Sequence, residues 1–201
     1  MPIRNITKNE LRADMKQVIG HLDERWIKAG SLLICEELSK LVDSLKNAKR
    51  ILAWIRFFPG ESDLSQFISE QIESKEVFLP VSHEDGNMEY YQVNRWWQDE
   101  LKQGFYGVPE PLFDRSLVYR PGISSKDTVV ILPGLAFDKA GGRIGRGKGY
   151  YDKFFSSLAM KDSTKIGTCW NLQVVDKVPT EPHDIFMNWV VHERGVIKAE
   201  K

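Results

Sequence analysis

Apolar positions at the start of the chain recur at helical spacing. Leu11, Met15, Val18, Ile19 and Leu22 share one face, and Thr7 with Glu10 three residues later forms the capping box that opens such a helix. A second helical pattern covers residues 23–45 through Trp26, Ile27, Leu33, Ile34, Leu38, Leu41 and Val42, with Gly30-Ser31 as a candidate kink. The pattern then shortens. Residues 50–57 read as a strand buried on both faces and stopped by Pro59-Gly60, and Glu61-Ser62-Asp63 opens a helix over residues 64–72. Residues 77–81 form a strand, residues 83–87 a turn containing His83, and Met88–Val93 the second arm of a hairpin. Residues 128–132 are an apolar, β-branched run closed by Pro133-Gly134. Residues 165–170 predict a further strand, continued by residues 171–175 into Val178-Pro179. The loop Glu181-Pro182-His183-Asp184 follows, and residues 188–191 supply the last strand. Strands that alternate with helices favour the α/β class, with a mainly parallel sheet covered on both faces. No repeat, low-complexity tract or linker interrupts the chain, so residues 1–201 are expected to form a single domain with the amino-terminal helices packed on it.

A length of 201 residues, 42% hydrophobic and 28% charged, suits one ordinary globular domain with a sizeable core. Lysine plus arginine equals aspartate plus glutamate at 28 each, which argues against a general nucleic-acid or membrane-surface binder. Any anion site must be a local concentration of cations. The two cysteines, Cys35 and Cys169, lie far apart and outside any C-x-x-C or zinc spacing, as expected of reduced thiols. The amino terminus is polar, without the apolar centre of a signal peptide, and no apolar run reaches membrane-spanning length. The cytoplasm is the expected compartment, and a monomer the expected state.

The cations concentrate after the strand at residues 128–132. Leu135-Ala136-Phe137-Asp138 leads into a loop with glycine at positions 141, 142, 145, 147 and 149, interleaved with Arg143, Arg146 and Lys148. Tyr150-Tyr151-Asp152-Lys153-Phe154-Phe155 then reads as the first turns of a helix. Glycine brings backbone N–H groups close to an anion, a helix start adds unpaired N–H groups, and arginine supplies a fork that matches phosphate oxygens. Residues 142–148 satisfy G-x-x-x-x-G-K, but Gly149 stands where a P-loop has the Ser or Thr that holds magnesium. A metal therefore needs another ligand, and Asp152 is the nearest carboxylate. A solvated basic hairpin is the bland alternative.

The run Pro133-Gly134-Leu135-Ala136-Phe137-Asp138, followed by Gly142-Arg143-Ile144-Gly145-Arg146-Gly147-Lys148-Gly149-Tyr150-Tyr151-Asp152, resembles the signature of the 5-formyltetrahydrofolate cyclo-ligases, or methenyltetrahydrofolate synthetases. The resemblance extends from about Lys8 to Val191, dense in the central motif and thinner elsewhere. It implies a single three-layer α/β/α domain that converts 5-formyltetrahydrofolate to 5,10-methenyltetrahydrofolate with ATP and magnesium, releasing ADP and phosphate. Lys8 and Arg12, four apart on the first helix, would otherwise be a solvated basic face; the resemblance implies that they contact ATP. It adds Arg143, Gly145, Arg146, Gly147, Lys148, Gly149, Tyr150 and Tyr151 to the ATP site, with Arg146 and Lys148 as catalytic residues. Glu61 lies at the carboxyl end of a strand and the mouth of the next helix, where open α/β sheets place ligand contacts. Its alternative is to complement that helix's dipole. The resemblance gives Glu61, Ile55 and Tyr106 to the folate, together with Arg146, Gly147, Lys148, Gly149 and Tyr150. Packing beneath an irregular loop is the expectation for most of the rings of Trp96, Trp97, Phe105 and Tyr106. Asp152 and Asp184 are the implied magnesium ligands. Asn188 departs from the acid usual in the family, which lowers the expected negative charge near the nucleotide.

Two other readings share these residues. A sugar-phosphate isomerase or acyl- or CoA-handling protein of the same α/β type also uses glycine-rich loops, and a folate-binding protein without turnover would keep the loop. ATP-dependent release of phosphate separates both from the cyclo-ligase.

Overall fold

The structure is a computed structural model that describes residues 6–122, 124–182 and 184–200. Helices α1 (Lys8–Gly20) and α2 (Glu24–Ser44) come first, followed by β1 (Arg50–Leu52), α3 (Ser65–Ile72), β2 (Glu76–Ser82) and β3 (Met88–Val93). A small hairpin of β4 (Lys102–Gln103) and β5 (Pro109–Glu110) precedes β6 (Thr128–Pro133), and a second pairs β7 (Ala136–Phe137) with β8 (Arg143–Ile144). Helix α4 (Tyr150–Phe155) and strands β9 (Thr164–Thr168), β10 (Trp189–His192) and β11 (Gly195–Lys198) complete the chain. The main sheet runs β11-β10-β9-β6-β1-β2-β3, with five parallel strands between antiparallel edges β11 and β3.

Alternation along the strands divides the core. Ile51, Val129, Ile131 and Ile166 face α1–α3 and pack with Leu11, Ile34, Leu38 and Phe67. Leu52, Val130, Leu132 and Val190 face the other way, against Phe137, Met160 and the side chains of Tyr151, Phe154 and Phe155. Three layers result, as expected for the α/β class, but the second helical layer is thin because α4 has only six residues. The capping box at Thr7 forms as read, with the Glu10 carboxylate accepting from the Thr7 N–H at 2.8 Å.

Several expectations need correction. Val18 and Leu33, placed on buried faces by periodicity, are 47% and 48% exposed, because each helix buries a narrower stripe than its apolar pattern. Helix α2 runs unbroken through Gly30. There a Cβ would stand 2.8 Å from the Trp170 ring, so Gly30 serves close packing. Gly30→Ala is therefore expected to destabilise the fold by about 1–3 kcal/mol through overpacking, read as a lower denaturant midpoint at unchanged m. An unshifted midpoint would contradict the contact.

The first strand ends at Leu52 rather than Phe57; the Ala53 N–H still donates to the Phe78 carbonyl at 2.9 Å, and Phe57 is 39% exposed. Of the aromatic segment only Trp97 packs in the core, donating to Ser69 Oγ at 3.2 Å, while Trp96, Phe105 and Tyr106 are exposed. Residues 171–173 form a 3-10 turn rather than a strand extension, because Gln173 turns back to donate to the Gly134 and Leu135 carbonyls at 2.9 and 3.0 Å. Strand β11 was not foreseen; a four-residue edge beginning at a glycine carries little periodicity.

Asn188 lies at the amino-terminal end of the parallel strands, where its Oδ1 accepts from the Lys165 N–H at 2.8 Å. Asn188 lines neither cavity at the other end of the strands, and its side chain braces the sheet. Both cysteines are buried, and burial pushes Cys35 up to about 11 and Cys169 higher still. At mildly alkaline pH a disulfide reagent is expected to leave the native chain unlabelled and to titrate both thiols once it is unfolded. Fast labelling of the native chain would contradict the burial.

Candidate active site

The parallel strands lie in the doubly wound order 2-1-6-9-10, so the chain leaves β1 on one side for β2 and reaches its other side at β6. Ligands of such sheets bind beyond the carboxyl ends of the strands at that reversal. A cavity of about 450 Å³ occupies this position. Trp54 and Ile55 after β1, Pro133 at the end of β6 with Gly134 after it, Pro80 from β2 and Met88 from β3 give it an apolar wall. Tyr106, Val108 and Pro109 from the β4–β5 hairpin close one side, and the glycine loop closes the other.

Glu61 stands at the floor of that opening. Its Oε2 accepts from the N–H groups of Phe57 and Phe58 at 3.2 and 3.0 Å. Its Oε1 accepts from Arg146 Nε and Nη2 at 3.1 and 3.0 Å. The Arg146 guanidinium also lies over the Phe58 ring, 3.7 Å from its centroid. Glu61 therefore binds Arg146 rather than the start of α3, where Asp63 accepts from the Ser65 N–H at 2.9 Å. The turn before Glu61 is held from the core by Trp170, whose Nε1 donates to the Gly60 carbonyl at 2.6 Å.

The glycine loop begins as the β7–β8 hairpin, not as the strand-to-helix loop of a P-loop. Gly147 and Gly149 adopt φ of 91° and 73°, a region that side chains disfavour, and between them Lys148 projects outward. Among the described residues no carboxylate pairs with Lys148, and its Nζ lies 5.9 Å from the centroid of Tyr106. The Tyr106 and Tyr150 rings meet edge to face at 6.1 Å. Burial, then a hydrogen bond with Tyr106, pushes Tyr150 up to about 12, so it remains a protonated phenol at neutral pH. Arg143 differs from the other loop cations. Its side chain is 7% exposed, donates to the Pro133 carbonyl at 2.9 Å and lies 5.2 Å over the Tyr151 ring. Burial draws its pKa down, although a guanidinium stays charged.

Helix α1 brings two more cations to the loop. Arg12 Nε donates to the Gly145 carbonyl at 3.1 Å, and Lys8 Nζ pairs with Asp184 at 2.7 Å and Glu181 at 3.2 Å. Burial draws the Lys8 pKa down, but hydrogen bonds and charge from Asp184 and Glu181 outweigh it and leave the pKa raised. A second, more polar cavity of about 610 Å³ lies against Lys8, Arg12, Gly147, Gly149, Asp152 and Asp184, residues that also line the first. Among the described residues no group of three or more His, Cys, Asp or Glu could hold a metal unaided. Two carboxylates beside a cationic loop do match the needs of magnesium carried in on phosphate, which keeps waters and takes one or two protein oxygens.

The structure thus brings together on one opening Lys8, Arg12, Ile55, Glu61, Tyr106, Arg143, Gly145, Arg146, Gly147, Lys148, Gly149, Tyr150, Tyr151, Asp152 and Asp184. His183 lies outside the described residues. Sequence reasoning missed Trp54, Phe57, Phe58 and Met88 in the wall. The one signal for Phe57 and Phe58 was their place just before the turn that carries Glu61.

Comparison with known proteins agrees with this geometry. Residues 4–193 match the 5-formyltetrahydrofolate cyclo-ligase family. The chain is 35% identical over 198 residues to the 5-formyltetrahydrofolate cyclo-ligase of Mus musculus, covering 94% of this chain and 95% of that one. It is 30% identical over 214 residues to the Saccharomyces cerevisiae protein of the same name, covering 95% and 97%. The NMR structure of Aquifex aeolicus 5,10-methenyltetrahydrofolate synthetase superposes with a TM-score of 0.78 at 28% identity, over 98% of this chain and 94% of that chain. The chain belongs to the 5-formyltetrahydrofolate cyclo-ligase family.

Proposed function

We propose that this chain converts 5-formyltetrahydrofolate to 5,10-methenyltetrahydrofolate at the expense of ATP, with release of ADP and phosphate. One observation carries the reading beyond family membership. A cavity with an apolar, aromatic wall and the cations Arg143, Arg146 and Lys148 meets a more polar one, lined by Lys8 and Arg12 with Asp152, Glu181 and Asp184, at Lys8, Arg12, Gly147, Gly149, Asp152 and Asp184. The first suits a pterin and the second a triphosphate, and their shared wall is where a phosphoryl group would pass between them.

A formamide carbonyl is a poor electrophile because its nitrogen lone pair is delocalised into it. In the proposed reaction the formyl oxygen attacks the γ-phosphorus and ADP departs. The folate's second amine then adds to the activated formyl carbon and loses its proton. The C–O bond breaks, and phosphate leaves with the former formyl oxygen. Positioning and charge neutralisation dominate such a transfer. Lys148, with no carboxylate partner among the described residues, and Arg146 stabilise the transferring phosphoryl. Lys8, Arg12, Arg143, Gly145, Gly147, Gly149 and Tyr151 form the nucleotide wall. Tyr150 stands between the substrates with a hydroxyl to donate, Tyr106 and Ile55 contact the folate, and Glu61 shapes the folate side by fixing Arg146 and the Phe57 and Phe58 backbone. Asp152 and Asp184 would hold magnesium, which supplies charge neutralisation on the phosphates when bound.

The test is the absorbance of the conjugated methenyl product in purified protein with 5-formyltetrahydrofolate and magnesium. Growth is expected only when ATP is added, with one phosphate released per product. Growth without ATP would overturn the proposal, as would binding of both substrates without product.

A further inference from the structure

Asp138 is a buried carboxylate that the proposed chemistry does not use. It is 4% exposed, at the end of β7, and among the described residues no lysine, arginine or histidine pairs with it. Three backbone donors satisfy it instead. Oδ1 accepts from the N–H groups of Ala140 and Gly142 at 3.0 and 2.8 Å, and Oδ2 accepts from the Val178 N–H at 2.8 Å. A hairpin turn needs only the first oxygen. The second reaches a different part of the chain.

That part is the far wall of the polar cavity. Val178 leads into Pro179, Thr180, Glu181 and Asp184, which face the glycine loop across the opening. Downstream of Asp184, the Met187 N–H donates to the Gly141 carbonyl at 2.8 Å, so the same turn holds the wall at both ends. On its other side the turn feeds β8 and then Gly145, Gly147 and Lys148. One carboxylate therefore fixes the spacing between the two walls that a triphosphate would touch.

We propose that Asp138 is a positioning residue for nucleotide binding, clasping the glycine loop to the residue 178–184 wall through its two oxygens. This rests on the nucleotide reading of the polar cavity given above. Asp138→Asn has nearly the same shape but offers one acceptor, and its NH2 must face an N–H donor on one side. Turning that NH2 to Val178 sacrifices one hydrogen bond instead of two, so the wall is the side expected to loosen.

The experiment measures KM for ATP and for 5-formyltetrahydrofolate in wild type, D138N and a core control, Ile131→Val, which loses stability away from the site. D138N is expected to raise KM for ATP about tenfold to a hundredfold, the factor that one lost hydrogen bond to a buried charge produces. Its KM for folate should stay within about twofold, and the control should change neither. A folded D138N with unchanged KM for ATP, or with both KM values raised alike, would overturn the clasp. Should D138N not fold, amide exchange in wild type decides: ADP with magnesium is expected to slow exchange at Gly142 and Val178 together, and no slowing would overturn it. Wild-type protein that makes no product and binds no nucleotide would instead refute the underlying cyclo-ligase reading.

Discussion

Replacing Lys148 by alanine is expected to lower kcat by about a hundredfold to a thousandfold and to leave the melting temperature unchanged. The first effect is the usual loss when one group aimed at developing transition-state charge is removed. The second follows from the position of Lys148, exposed between two glycines, with an aromatic ring at 5.9 Å as its neighbour and no buried bond to lose. A charge held ready on a loop contributes to turnover and not to the fold. Steady-state kinetics with a thermal melt on the same sample checks both halves. Activity near wild type would remove Lys148 from the mechanism, and a large drop in melting temperature would show that its role is structural.

Glu61→Gln is expected to reduce kcat/KM for folate by about tenfold to a hundredfold. All four acceptor positions of this carboxylate are in use, two by Arg146 and two by the backbone of Phe57 and Phe58. An amide offers one oxygen and turns an NH2 towards either the guanidinium or the two N–H groups. Losing a partly buried, charge-assisted interaction of this kind costs about 1.5–3 kcal/mol. Because Arg146 and Glu61 act as a pair, the double variant with Arg146→Ala should fall well short of the product of the two single losses. Independent, multiplying effects would mean that the ion pair seen here does not operate during turnover.

The sequence carried the sheet well where burial on two faces wrote a continuous apolar run, as at residues 128–132, and where turn chemistry was explicit, as at Pro133-Gly134. The cationic loop was legible because glycines interleaved with arginine and lysine are a composition that suits the approach of backbone to an anion. The sequence did not show that Gly30 serves contact with Trp170, because the two are 140 positions apart and helical periodicity is blind to partners. Nor did it reveal the Phe57 and Phe58 wall, since aromatic residues ending a strand look alike whether buried or poised at an opening. The pairing of Glu61 with Arg146 likewise joins residues 85 positions apart and has no local signature. Lys8 and Asp184, which only the family resemblance marked as ligands, are bound to each other, a pairing across 176 positions that has no local signature.

The most direct measurement of the proposed chemistry uses 5-formyltetrahydrofolate carrying heavy oxygen in its formyl group. Phosphorylation of that oxygen predicts that each turnover delivers the label to the released phosphate, with one ADP formed per methenyl product. Label found in water, with unlabelled phosphate, would contradict the mechanism.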